Sequence, residues 1–170
     1  SFPTRRSSDL EFLGEKPSKT GKVLFVTSDE HELFIKEKLI NRGFFAAPGC
    51  WGFQDNWDIS QWDALEETME KFKPDLVIID SFSSIHRDPS FDENSSQAKA
   101  TLYQLEGLLS RYGCPAIMIH HTGKGKDKKG VNKLRGSTAI PAAASMIWLL
   151  QGEDKVKTFS MPKTDRKSVV

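Results

Sequence analysis

Cysteine is scarce in this chain: Cys50 and Cys114 are its only two among 170 residues. Their separation fits neither a disulfide framework nor a zinc-ligand spacing. Both therefore read as reduced thiols, which is what a cytoplasmic setting predicts. Long apolar runs are also missing. The longest near-apolar stretch, Ala139 to Leu150, is interrupted by Pro141 and Ser145 and is too short to span a bilayer, so no membrane partner is expected. The opening residues do not read as a signal peptide, and no segment repeats. Charge of one sign is not in excess: 24 basic and 23 acidic side chains give a formal +1. That excludes a basic field over the whole surface, so a nucleic-acid site has to be local. What is present is core material. Hydrophobic residues make up 38%, including 11 Phe, beside 4 Trp, which is enough for one ordinary domain.

The two ends read as foreign. RRSSD, from Arg5 to Asp9, can be written CGA CGC TCT TCC GAT. The reverse complement of that string, extended by the C that begins Leu10, reads GAT CGG AAG AGC GTC. This encodes DRKSV, the residues from Asp165 to Val169. Residues 1–10 and 165–170 are accordingly expected to be adapter-derived and non-native, and 11–164 to be part of one domain. Removing the four basic and two acidic side chains of those ends from 24 and 23 turns the formal charge to −1.

The chain is organised around KPDLVIIDSFSSIHRD, from Lys73 to Asp88. Leu76, Val77, Ile78 and Ile79 form an apolar run without alternation that stops at Asp80, the pattern of a strand covered on both faces. GKVLFVTSDE, Gly21 to Glu30, is a second such strand ending in carboxylates, and PAIMIHH is a third ending in His120 and His121. Between them lie helical patterns: His31 to Arg42, stopped by Gly43, and a helix capped by Ser60 with Trp62, Leu65, Met69 and Phe72 on one face. A third runs from about Ser96 to Tyr112 with Leu102, Leu105, Leu109 and Tyr112 on one face, closed by Gly113. Pro48 to Asn56 reads as loop. A small-residue helical turn from Ser137 to Ala144 leads into strand Met146 to Leu150, and Lys155 to Lys163 reads as a last strand. Alternating strands and helices predict an α/β fold with a mostly parallel sheet flanked by helices, followed by a C-terminal strand pair. Right-handed crossovers then bring the polar strand ends to one edge, where such sheets bind ligands.

Several landmarks occur in order: FLG at Phe12 to Gly14, VLFVTSDE, LVIIDS, IHHTGKG, KLRGSTAI and Lys163. Together they resemble the RecA-like P-loop ATPases of the hexameric, DnaB-like helicase group, in particular plasmid RepA-type helicases and the ATPase domains of phage and mobile-element primase-helicases. The family's phosphate loop, GxxxxGK[ST], is missing. In GEKPSKTGKV the Gly21-Lys22 pair is followed by Val23 and runs into a strand rather than opening a helix, so it reads as a turn. The resemblance places the P-loop strand upstream of Phe12. This fragment is then expected to bind nucleotide poorly, to be inactive by itself, and to expose a sheet edge that limits its solubility.

The resemblance implies ATP and Mg²⁺ as cofactors of the intact parent. Asp80 corresponds to the aspartate that positions Mg²⁺ through water, with Ser81 beside it among the nucleotide-binding residues; the plain alternative for Asp80 is a cap on the next turn. Glu30 corresponds to the glutamate that polarises the attacking water, and Asp29 could replace it; the alternative for both is a carboxylate at a helix N-terminus. His120 and His121 correspond to a γ-phosphate sensor, with His121 the preferred one, against a buried hydrogen-bonded imidazole; a zinc site lacks ligands at suitable spacing. Arg135 resembles an arginine finger and Lys163 a second cation, each offered to the neighbouring subunit of a ring, a hexamer by resemblance; otherwise they are solvated surface cations. Lys124, Lys126, Lys128, Lys129 and Lys133 would face single-stranded DNA through its phosphates, or simply keep a loop soluble. The expected function of the parent is that of an ATP-hydrolysing DNA helicase or helicase-like ATPase of DNA replication. The alternatives are a non-hydrolysing nucleic-acid-binding or regulatory module on the same fold, and more remotely a recombinase or clock-type ATPase.

Overall fold

The apolar runs become parallel strands. The computed structural model describes residues 21–42, 49–88, 90–92, 95–121, 139–152 and 158–164. Two units divide the chain: residues 1–87 with 107–119, and residues 88–106 with 120–170.

The first unit contains a four-stranded, all-parallel sheet in the order β2-β1-β3-β4, formed by β1 (Val23–Thr27), β2 (Trp51–Gln54), β3 (Leu76–Asp80) and β4 (Ala116–Met118). β1 lies at its centre, pairing Val23 with Trp51 on one side and with Leu76 on the other. Leu24 and Val26 of β1 and Val77 and Ile79 of β3 are buried on one face. The opposite face is only half-covered. There Phe25 stacks on Phe53 at 5.3 Å between ring centroids, and the Lys36 ammonium lies 4.8 Å from the Phe53 ring.

β2 corrects the sequence reading, which made this stretch a loop. Gly52 is not a turn residue. A Cβ there would meet the Phe72 ring at 3.0 Å and Leu24 Cδ1 at 3.2 Å, so the glycine marks where α2 (Trp62–Phe72) presses onto the strand. Gly21 is a similar case, since a Cβ would come within 2.8 Å of the Asp75 carboxylate, which also accepts the Lys22 amide N–H.

The helices follow their expected periodicity with local differences. α1 (Glu32–Asn41) buries no residue and leaves Leu33, Phe34 and Ile40 exposed. α2 buries Leu65 and Met69, but Ser60 does not cap it. The Ser60 hydroxyl and amide both turn to the Asp58 carboxylate, and Gln61 takes the cap position without a side-chain bond. α3 (Ser96–Arg111) buries Ala98, Thr101, Leu102, Leu105 and Leu108, with Leu108 taking the place expected of Leu109. Gly113 closes it at φ 58°. β4 is shorter than the run PAIMIHH, but the Ile119 amide still donates to Ile79 O at 2.9 Å.

The second unit contains α4 (Ala139–Ala143) and the antiparallel pair β5 (Met146–Gln151) and β6 (Thr158–Thr164). Ile147 and Leu149 face inward while Met146, Trp148 and Leu150 are exposed, the alternation of a strand covered on one side. No helix among the described residues is long and apolar enough to cross a membrane.

Candidate active site

All four strands of the first unit run the same way, so their carboxyl ends share one edge. Thr27 at the end of β1 stands opposite Asp80 at the end of β3. Asp80 is exposed, whereas the next residue, Ser81, is buried, and the peptide between them is cis. The Ser81 hydroxyl donates to Asp29 Oδ2 at 3.2 Å, joining the two strand ends across 52 residues of sequence. Asp29, Ser81 and Asp80 are thus brought to one rim.

Two further segments fix that rim. The turn after β3 is self-bonded: the Ser81 amide donates to Ser84 Oγ at 2.8 Å, and Ser84 Oγ donates back to Ser81 O at 2.9 Å. Phe82 and Ile85 are buried beneath it, with Phe82 edge-on to the His86 ring at 4.9 Å. The loop after β2 is held by Trp57, which is fully buried. Its amide donates to Thr27 O at 3.2 Å, its indole N–H donates to Gln61 O at 2.9 Å, and its carbonyl accepts from the Ser28 hydroxyl. The Ile59 amide reaches Ile85 O at 3.1 Å, and Arg87 bonds Asn56 and lies 3.5 Å from the Asp58 carboxylate. Hydrogen bonds from Ser60, aided by the Arg87 charge, hold the Asp58 carboxyl below its ordinary range against the opposing effect of burial. Trp57 and Arg87 were not singled out from sequence; the one signal was a tryptophan within an otherwise polar turn.

The other candidates have other partners, belong to the second unit or lie outside the described residues. The Glu30 carboxylate meets the Lys38 ammonium on α1. His120, half-buried, and His121, exposed, belong to the second unit. The Lys163 ammonium donates to Pro141 O at 2.8 Å and Ala144 O at 2.6 Å, at the C-terminal end of α4. Lys124, Lys126, Lys128, Lys129, Lys133 and Arg135 lie outside the described residues.

The donors on the rim fit a nucleotide-bound Mg²⁺. Carboxylate and hydroxyl oxygens are hard ligands, and this ion commonly takes one or two carboxylates together with phosphate oxygens and water. A phosphate cradle is not seen among the described residues. Lys22 sits before β1, at the opposite edge of the sheet, where its ammonium donates to Phe72 O at 3.1 Å.

Residues 52–127, a little under half the chain, match a family model described as an AAA domain. The match supports a P-loop ATPase kind. It runs from β2 past the end of β4 and so includes Asp80, Ser81 and both histidines. An ATPase of this kind uses a nucleotide and, in general, Mg²⁺. No curated protein matches the chain.

Proposed function

We propose that the intact protein is an ATP-hydrolysing DNA helicase or helicase-like ATPase of DNA replication, RecA-like in its core and assembled as a ring. The observation that carries the site is the parallel register of β1 and β3, with Ser81 of one strand end bonded to Asp29 of the other. Asp80, at the rim and exposed, would hold Mg²⁺ through water, and a carboxylate after β1 would orient the attacking water. When bound, Mg²⁺ and ATP supply the scissile bond and the positive charge that offsets what develops on the phosphoryl oxygens. His121 is proposed as the group that reports the γ-phosphate, Arg135 as the cation offered to the neighbouring subunit, and the lysines from Lys124 to Lys133 as the contact to single-stranded DNA. Asp80→Asn in the intact protein should lower ATP turnover by about 10²-fold or more. Unchanged turnover would refute the assignment.

The position of Lys22 at the opposite edge favours a second reading: a non-hydrolysing module on the same fold that binds nucleic acid or regulates a partner. Sequencing the gene upstream of the codon for Glu11 separates the two. A GxxxxGK[ST] segment followed by a helix supports the ATPase. A natural start codon there supports the module.

A further inference from the structure

We infer that Asp29, and not its neighbour Glu30, is the carboxylate that acts at the sheet edge, with Ser81 as the residue that positions it. The inference rests on the ATPase reading above. The chain bends from Ser28 to Glu30 directly after β1, and the two adjacent acids take different partners. Asp29 turns across the sheet to the Ser81 hydroxyl at 3.2 Å, yet the residue itself stays exposed and accessible to a bound nucleotide. Ser81 is buried and in turn held: its hydroxyl lies 3.3 Å from Ser83 Oγ and 3.3 Å from Ser84 Oγ. A hydroxyl has one proton, and a carboxylate is the strongest acceptor within its reach. That proton therefore goes to Asp29, and the Ser83 hydroxyl can donate into the oxygen of Ser81. The carboxylate is thereby fixed in direction by a group with little freedom of its own.

Glu30 is directed elsewhere. Its carboxylate meets Lys38 on α1, and its amide N–H donates to Thr27 Oγ1 at 3.3 Å. The ion pair is exposed and weak, so what matters is its direction rather than its strength. For Glu30 to serve the rim it would have to leave a cation and approach Asp29 and Asp80, both of like charge. Its role is to tie the last turn of α1 to the end of β1.

In the proposed step a water oxygen bonds to the γ-phosphorus as the bond from that phosphorus to the ADP oxygen breaks. The proton lost by the water passes to the Asp29 carboxylate and from there to solvent, leaving ADP and inorganic phosphate. Correctly placed proton acceptors of this kind contribute about 10²–10⁴-fold.

The test uses the intact protein, with ATP turnover measured beside equilibrium binding of a fluorescent ATP analogue. Asp29→Asn should lower kcat by about 10²-fold or more with affinity for the analogue essentially unchanged, whereas Glu30→Gln and Lys38→Met should stay within about threefold of the unsubstituted protein. Ser81→Ala should lower kcat by about tenfold and leave KM unchanged, which a merely structural role would not do, and it carries the test if Asp29→Asn folds poorly. Loss in Glu30→Gln equal to that in Asp29→Asn, or full turnover in Asp29→Asn, overturns the assignment. Asp80→Asn run alongside keeps the two failures apart. If Asp80→Asn is inactive while Asp29→Asn is active, only the choice of carboxylate falls; if Asp80→Asn is active, the ATPase reading falls as well.

Discussion

Removing the Trp57 ring should loosen the rim more than any change to an exposed acid. The ring is fully buried, its indole N–H bonds Gln61 O at 2.9 Å, and it packs edge-on to Trp62 with centroids 5.2 Å apart. Replacing a buried tryptophan by alanine costs about 3–5 kcal/mol, because burial is lost and a cavity remains. Trp57→Phe keeps most of the ring and gives up the indole bond. Gln61 O also accepts the Leu65 amide at 3.2 Å, so it is not left bare. The expected cost of Trp57→Phe is then about 1–2 kcal/mol, the net worth of one hydrogen bond plus a small void. Against a domain stability of about 5–15 kcal/mol, the alanine variant removes a substantial fraction and the phenylalanine variant little. Urea unfolding followed by circular dichroism measures both. The Trp57 amide and carbonyl hold Thr27 and Ser28, so amide exchange at Ser28 and Asp29 should also speed up in Trp57→Ala. A cost below about 1 kcal/mol for the alanine variant, or equal costs for both, would refute the view that this ring anchors the loop to β1.

Gly52→Ala should destabilise by about 1 kcal/mol, because strain against the Phe72 ring at 3.0 Å outweighs the entropy gained in the unfolded chain. In a Phe72→Leu background the same change should become neutral or stabilising, and a stabilising Gly52→Ala on its own contradicts this packing. The lowered Asp58 carboxyl favours the folded state fully above its ordinary value near 3.8, and that contribution fades as pH falls through the lowered folded value. Acid titration of stability should therefore be shallower in Asp58→Asn than in the unsubstituted protein; parallel curves would rule the contribution out. Cys114 is buried and its thiol is pushed up by that burial and by the nearby Asp75 charge, so it should resist a thiol reagent at neutral pH until the chain unfolds. Rapid modification of Cys114 in the folded chain would contradict its burial.

What the sequence disclosed, and what it concealed, follows from the range of the forces involved. Leu76 to Ile79 ending at Asp80 could be recognised as a strand because burial on a central strand selects a continuous apolar run. The α2 face could be recognised because helix packing repeats every three to four residues. β2 was concealed because its glycine answers to a ring on another element, while local rules assign a glycine among Pro, Asn and Asp to a turn. Ser60 failed as a cap because Asp58, two residues earlier, offered a stronger acceptor to both its hydroxyl and its amide. The shared rim was legible from topology alone, since parallel strands put their carboxyl ends together. The choice between Asp29 and Glu30 was not, because adjacent acids look alike until Ser81 and Lys38 take one each.

The account is tested most directly by locating the metal. Mn²⁺ in place of Mg²⁺ on the ATP-loaded intact protein broadens the NMR signals of nearby amides. Broadening centred on Ser28 to Glu30 and Asp80 to Ser84, with Gly21, Lys22 and Asp75 spared, is the expected result. Broadening centred on Gly21, Lys22 and Asp75 would place the nucleotide at the other edge of the sheet and contradict the account.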